Sequence, residues 1–161
     1  MTEPNILASL SPALSATIAR AAPSVVSVHS HRARASGFVW KAGLIVTADE
    51  ALADEGEIEI QFADGSRRPA AVAGRDHTTD IALLRVNGDV APIKLSTDIP
   101  ALGALAVLVA ADRGAPVARL GMVSRSGAAW RSLRGGEIDA RIELDIRLRH
   151  SQQGGLALDA S

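Results

Sequence analysis

A small set of residues in this chain could do chemistry. Three readings are open at the level of residue type and spacing. His77 stands three residues before Asp80, and His150 adjoins Ser151, so a histidine beside a carboxylate or a hydroxyl is available in two places. Such pairs are the parts of nucleophilic catalysis, in which a base takes the proton of an attacking hydroxyl and an acid orients the base. Residues this close in sequence rarely have that geometry. His29 and His31, spaced i, i+2, would share one face of a strand, as a two-histidine metal site requires. No third ligand lies near them, and two polar residues at a strand end are the alternative. No metal and no cofactor is expected. The chain has no cysteine, which excludes disulfides, thiolate metal sites and a thiol nucleophile.

The elements that must position these groups read as follows. Ile6, Leu7, Leu10, Leu14 and Ile18 form an apolar stripe at helical spacing, and Pro23 stops it, giving a helix over residues 1–22. Beyond it the pattern changes to short β segments. They are expected at 24–28, 37–40, 43–47, 57–62, 70–73, 81–86, 104–110, 117–123, 138–144 and 156–158, with turns at Lys41-Ala42 and Ala63-Asp64-Gly65. About ten short strands separated by turn signals describe an all-β barrel or sandwich. Joints at Asn87-Gly88-Asp89 and at 96–100 divide the chain into a first β unit over 23–95 and a second over 96–161.

Several stretches, in order along the chain, resemble the HtrA/Deg family of trypsin-like serine proteases. They are Ala22-Pro23-Ser24-Val25-Val26-Ser27-Val28, Ser36-Gly37-Phe38-Val39, Gly43-Leu44-Ile45-Val46-Thr47 and Leu120-Gly121-Met122-Val123-Ser124. The most specific is the run from Gly74 to Val86, which includes Asp76, Thr79-Asp80 and Ala82-Leu83-Leu84. The resemblance implies two antiparallel β-barrels with a catalytic cleft between them and a short helix in front. The second barrel is expected to be incomplete at its C-terminal end. In the family a PDZ domain usually follows, so the expectation is either such a domain in a longer parent chain or a homo-oligomer of this one.

Carried over residue by residue, the resemblance makes Asp80 the orienting carboxylate. A residue-level alternative is a turn residue that caps Thr78 and Thr79. The histidine position holds Glu50, and the serine position holds Gln153 in Ser151-Gln152-Gln153-Gly154-Gly155. A glutamate presents no imidazole, and a carboxamide has no ionisable nucleophile. Glu50 either faces Asp80 in a shared cleft, where two carboxylates repel, or points to solvent. Ser151 replaces the glycine that helps shape the oxyanion loop. Two of three catalytic groups are thus replaced, and the expectation is a pseudoprotease that binds an extended peptide or a protein. The alternatives are an active endopeptidase with a rearranged site and a structural domain of a larger regulatory protein.

Composition sets the remaining bounds. The chain is 161 residues long and 47% hydrophobic, enough for a core and against intrinsic disorder. Aromatics are 2%, limited to Phe38, Trp40, Phe62 and Trp130, and the formal net charge is -1. Neither points to nucleic acid or to an anionic membrane surface. Of the 17 basic residues only Lys41 and Lys94 are lysine. Arg125, Arg131, Arg134, Arg141, Arg147 and Arg149 cluster in the second half, either as a face for an acidic partner or as a solvated surface. Trp130 and Leu133 lie among them. No secretory leader and no 18-residue apolar run is present, so the chain as written reads as cytoplasmic, or periplasmic if a leader was removed.

Overall fold

A computed structural model describes residues 5–31, 33–88 and 90–159; Asp89, in the first expected joint, lies outside them. One helix, α1 (Ile6–Ala21), opens the chain, capped by the Asn5 side chain, which accepts from the Leu7 N–H at 3.1 Å. Pro23 enters a short 3₁₀ turn (Ala22–Ser24) and ends it, as the sequence requires. The stripe is used only in part. Leu14 and Ile18 pack inward, whereas Ile6 and Leu7 are 74% and 73% exposed. Pro12, inside α1, removes one helical N–H.

Six strands then close into an antiparallel barrel: β1 (Val25–Ser30), β2 (Ala33–Lys41), β3 (Leu44–Ala48), β4 (Ile58–Gln61), β5 (Arg67–Asp76) and β6 (Ile81–Val86), in the order β1-β2-β3-β6-β5-β4. Its core is built from β-branched and aliphatic residues, with Val26, Val28, Ala35, Val39, Ile45, Ile60 and Leu84 almost wholly buried. The valine run of β1 is continuous because the strand is covered on both sides. Val26 and Val28 fill the barrel, while Val25 joins a second core outside it. Strand β5 runs well beyond the expected 70–73. Its alanines and arginines leave it mostly exposed, so it carries little hydrophobic alternation to read.

After an irregular stretch come β7 (Leu105–Asp112), β8 (Ala115–Gly127), β9 (Trp130–Arg131), β10 (Glu137–Ile138), β11 (Arg141–Leu144) and β12 (Leu156–Leu158). Four of them form an open sheet in the order β11-β8-β7-β12, and β9 and β10 pair only with each other. The segment expected as one strand over 138–144 is broken at Asp139 and Ala140, which places β10 in the hairpin and β11 in the sheet. The molecule is therefore mostly β, with one closed barrel and one half-barrel. Its second core, Ala21, Val25, Val107, Val109, Ala111 and Leu156 with Leu14, Ile18 and Phe38, lies between α1, the outer side of the first barrel and the second sheet. That core fixes the two β units against each other. Among the described residues, no helix is long and apolar enough to cross a membrane.

Candidate functional site

Three short irregular segments meet where the two units join. The first is the 3₁₀ turn Asp49–Ala51, which follows β3. The second is the turn between β5 and β6, ending at Asp80. The third is the 3₁₀ turn His150–Gln152, which leads through Gln153 into β12. Ser36, on β2 and fully buried, ties the third segment to the first barrel. Its N–H donates to Gln153 O at 2.8 Å, and its hydroxyl lies 2.8 Å from Ser151 O and 3.1 Å from Ala111 O. Gly154 completes the joint in a left-handed conformation, φ 78°. A Cβ there would stand 2.4 Å from Ser36 O and 2.7 Å from Ala48 N, so only glycine permits this approach.

These segments bring Glu50, Asp80 and Gln153 together. The Glu50 N–H donates to Asp80 Oδ1 at 2.7 Å. Gln153 Nε2 donates to Glu50 Oε1 at 3.4 Å, and the Arg134 guanidinium reaches Glu50 Oε2 at 3.4 Å. The two carboxylates do not oppose each other as a bare pair. Asp80 is occupied by a backbone amide, and Glu50, about half-exposed, is paired with an arginine. Asp80 itself is left-handed at φ 60°, unusual for a residue with a side chain.

The neighbouring histidine pairings differ from those adjacent in sequence. His77 turns its Nδ1 to Asp49 Oδ2, not to Asp80. Asp49, 2% exposed, also receives Arg75 Nε, and Arg75 Nη2 donates to Asp49 O at 3.2 Å. Burial is the largest single influence on the Asp49 carboxyl and pushes it up. The hydrogen bonds and charges of Arg75 and His77 together outweigh it and hold the group below its ordinary range. This Asp49–Arg75–His77 cluster was missed in the sequence, because nothing local connects position 49 with 75 and 77. His150 and Ser151 are not joined side chain to side chain among the described residues; their backbone forms the 3₁₀ turn instead.

The capping role open to Asp80 belongs to Asp76. Its carboxylate accepts from Thr78 N at 2.9 Å, Thr78 Oγ1 at 2.6 Å and Thr79 Oγ1 at 2.6 Å. Those bonds pull its pKa down to about 2. His31 lies past the end of β1 with φ 51°, so it and His29 do not share a strand face. His29, half-buried, is held below its ordinary pKa by burial first and then by Arg34 and Arg67, with Glu59 opposing.

Compared with known proteins, residues 35–161 match the trypsin-like peptidase domain. The chain belongs to that family. This trypsin-like peptidase domain is 29% identical to serine protease HTRA4 of Mus musculus over 160 aligned positions, covering 88% of the chain and 33% of that protein. It is 39% identical over 59 positions to a probable periplasmic serine endoprotease DegP-like of Pseudomonas fluorescens, covering 36% of the chain and 12% of that protein. The chain spans a third or less of the length of these two relatives. Chemically, the meeting point of Glu50, Asp80 and Gln153 offers hydrogen-bond acceptors, a carboxamide and an arginine. It brings neither an imidazole nor a hydroxyl to these three positions.

Proposed function

We propose that this trypsin-like domain is a catalytically inactive homologue of the HtrA/Deg proteases and works as a binding or scaffolding module for extended peptide or protein. The observation that carries the reading is the meeting of Glu50 and Gln153. Peptide hydrolysis by the serine mechanism needs an imidazole within hydrogen-bond reach of a hydroxyl. The residues that reach each other here, at 3.4 Å, are a carboxylate and a carboxamide. Neither takes a proton from the other and attacks a carbonyl.

The backbone of the same loop supports this reading. Gln152 N–H donates to Arg149 O at 2.9 Å, and Gln153 N–H donates to His150 O at 3.2 Å. An oxyanion site needs preorganised donors aimed at the developing charge. These amides are spent inside a turn. Gln152 reinforces it, its Oε1 accepting from Arg149 N at 3.0 Å and from Arg119 Nε at 2.8 Å.

A binding role draws support from the sheet. Among the described residues β12 pairs with β7 on one side only, and an extended segment adds to such an edge by main-chain hydrogen bonds. The test is twofold. Purified protein incubated with fluorescein-labelled casein should release no soluble fluorescence; release blocked by a serine-directed inhibitor would overturn inactivity. Fluorescence anisotropy with a labelled unfolded peptide should saturate. Absence of saturation at millimolar peptide would remove the binding role and leave a structural domain.

A further inference from the structure

The hairpin formed by β9 and β10 does something that the strand pattern of the domain does not require. It belongs to neither the barrel nor the open sheet, and its own ladder has two residue pairs, Glu137 with Arg131 and Ile138 with Trp130. At its base Trp130 lies under Arg141, whose guanidinium is 4.8 Å from the ring centroid. Its far end is held by the opposite β unit. Ser132 Oγ donates to Thr78 O at 2.5 Å. Arg134 Nη1 donates to His77 O at 3.3 Å, and Nη2 bonds Glu50 Oε2 at 3.4 Å. Gly136 is buried directly against Thr78, where a Cβ would come within 2.6 Å of Thr78 O.

We infer that residues 130–138 form a gate over the meeting point of Glu50, Asp80 and Gln153, latched by Arg134 on Glu50 and by Ser132 and Gly136 on Thr78. The inference rests on the binding role proposed above, because it says what covers the meeting point of Glu50 and Gln153, from which the chain runs into the open edge strand β12. In it Glu50 has a task of its own, as the acceptor that holds the gate shut. The tie of Arg134 to Glu50 is the weak part of the latch. The Glu50 and Arg134 side chains are 46% and 53% exposed, and an ion pair of that kind contributes little and is screened by salt. Leu133, fully exposed at the tip, lies outside the latch.

Hydrogen–deuterium exchange on the full chain tests the latch. Arg134→Ala and Glu50→Gln should each speed exchange at the hairpin amides by about two- to fivefold, the range for an exposed ion pair. The double variant should show no more than Arg134→Ala alone, since that change already removes the bond to Glu50 together with the one to His77 O. High salt should bring the wild type toward the variants. Gly136→Val should loosen the hairpin further; if that variant does not fold, the two conservative surface changes still decide. Unchanged exchange in both Arg134→Ala and Glu50→Gln would overturn the gate.

Anisotropy with labelled, reduced casein gives the second readout. Tighter binding by the open variants, by a similar factor, supports the gate as a regulator. Equal binding by open and closed forms overturns that role. Faster exchange with no casein binding by any form keeps the latch and removes the peptide-binding reading instead.

Discussion

At the residue scale, the proposed inactivity turns on Glu50 and Gln153, and exchanging both residues tests it. The double variant Glu50→His, Gln153→Ser restores an imidazole and a hydroxyl beside Asp80. It leaves the amide at position 153 bonded to His150 O. Loss of one oxyanion donor costs about a hundred- to a thousandfold in such enzymes. The double variant should therefore label with a fluorophosphonate at roughly that fraction of an intact site's rate. Either single change should give no labelling, and a wild type that labels would sink the inactive reading. A second residue-scale prediction concerns the acids. Asp49 and Asp76 both have carboxyls held below the ordinary value of 3.8, Asp76 at about 2. A depressed acid stabilises the fold above its unfolded pKa, and that contribution is lost as pH falls through the folded value. The urea midpoint should hold near neutral pH and drop as pH falls from about 4 toward 2. Asp49→Asn should cost about 1–3 kcal/mol at pH 7, because it removes the buried charge that Arg75 and His77 share, while Arg75 keeps Asp49 O and Asp54 as partners. A midpoint unchanged in Asp49→Asn would show that Arg75 and His77 find other partners.

At the element scale, the connections do more than join strands. The turn between β7 and β8 uses Arg113 and Gly114, both left-handed at φ 53° and 81°. Such turns match the twist of a hairpin. Its Gly114 N–H donates to Ser27 Oγ at 2.9 Å, docking the turn on β1. Arginine is strained at that angle by about 1 kcal/mol, and asparagine tolerates it better. Arg113→Asn should raise Tm by a few degrees in calorimetry. Gly154→Ala goes the other way. It places a Cβ against Ser36 O in a left-handed residue, and the loss should reach about 2 kcal/mol or more. A Gly154→Ala protein as stable as wild type would mean that the loop after His150 is not pinned between the units as described.

At the scale of the whole molecule, one buried hydroxyl spans the joint. Ser36 sits on β2 of the barrel, accepts from Ala111 N at 3.0 Å and reaches Ser151 O of the site loop. Ser36→Ala leaves buried backbone groups without their partner and should cost about 1–3 kcal/mol by urea denaturation. The loss should appear as one shifted transition, because the second core also holds the two units together; two transitions would show that Ser36 alone couples them. The arginine cluster takes on a different meaning at this scale. Arg125 and Arg141 pair with Glu143, Arg131 with Glu137 and Arg134 with Glu50, so much of its charge is answered within the chain. An acidic partner would have to compete with these pairs.

How much was legible follows from which forces are local. Strand β6 was read at its true bounds, because Ile81 to Val86 is a short β-rich run between turns. Strand β5 was read too short, because its exposed alanines and arginines carry no alternation. Glu50, Asp80 and Gln153 were singled out from short motifs in order along the chain, and the fold brings the three residues together. The amino-acid sequence by itself determined the all-β plan and the helix stop at Pro23, since these depend on side-chain type and near-neighbour spacing. Only the tertiary structure decided that His77 serves Asp49, that Asp76 caps the turn before Asp80, and that Arg134 crosses from the second unit to Glu50. Each of those contacts joins a turn to a partner fixed by the folding of the strands around it. A hydrogen bond between residues 84 positions apart leaves no trace in local pattern.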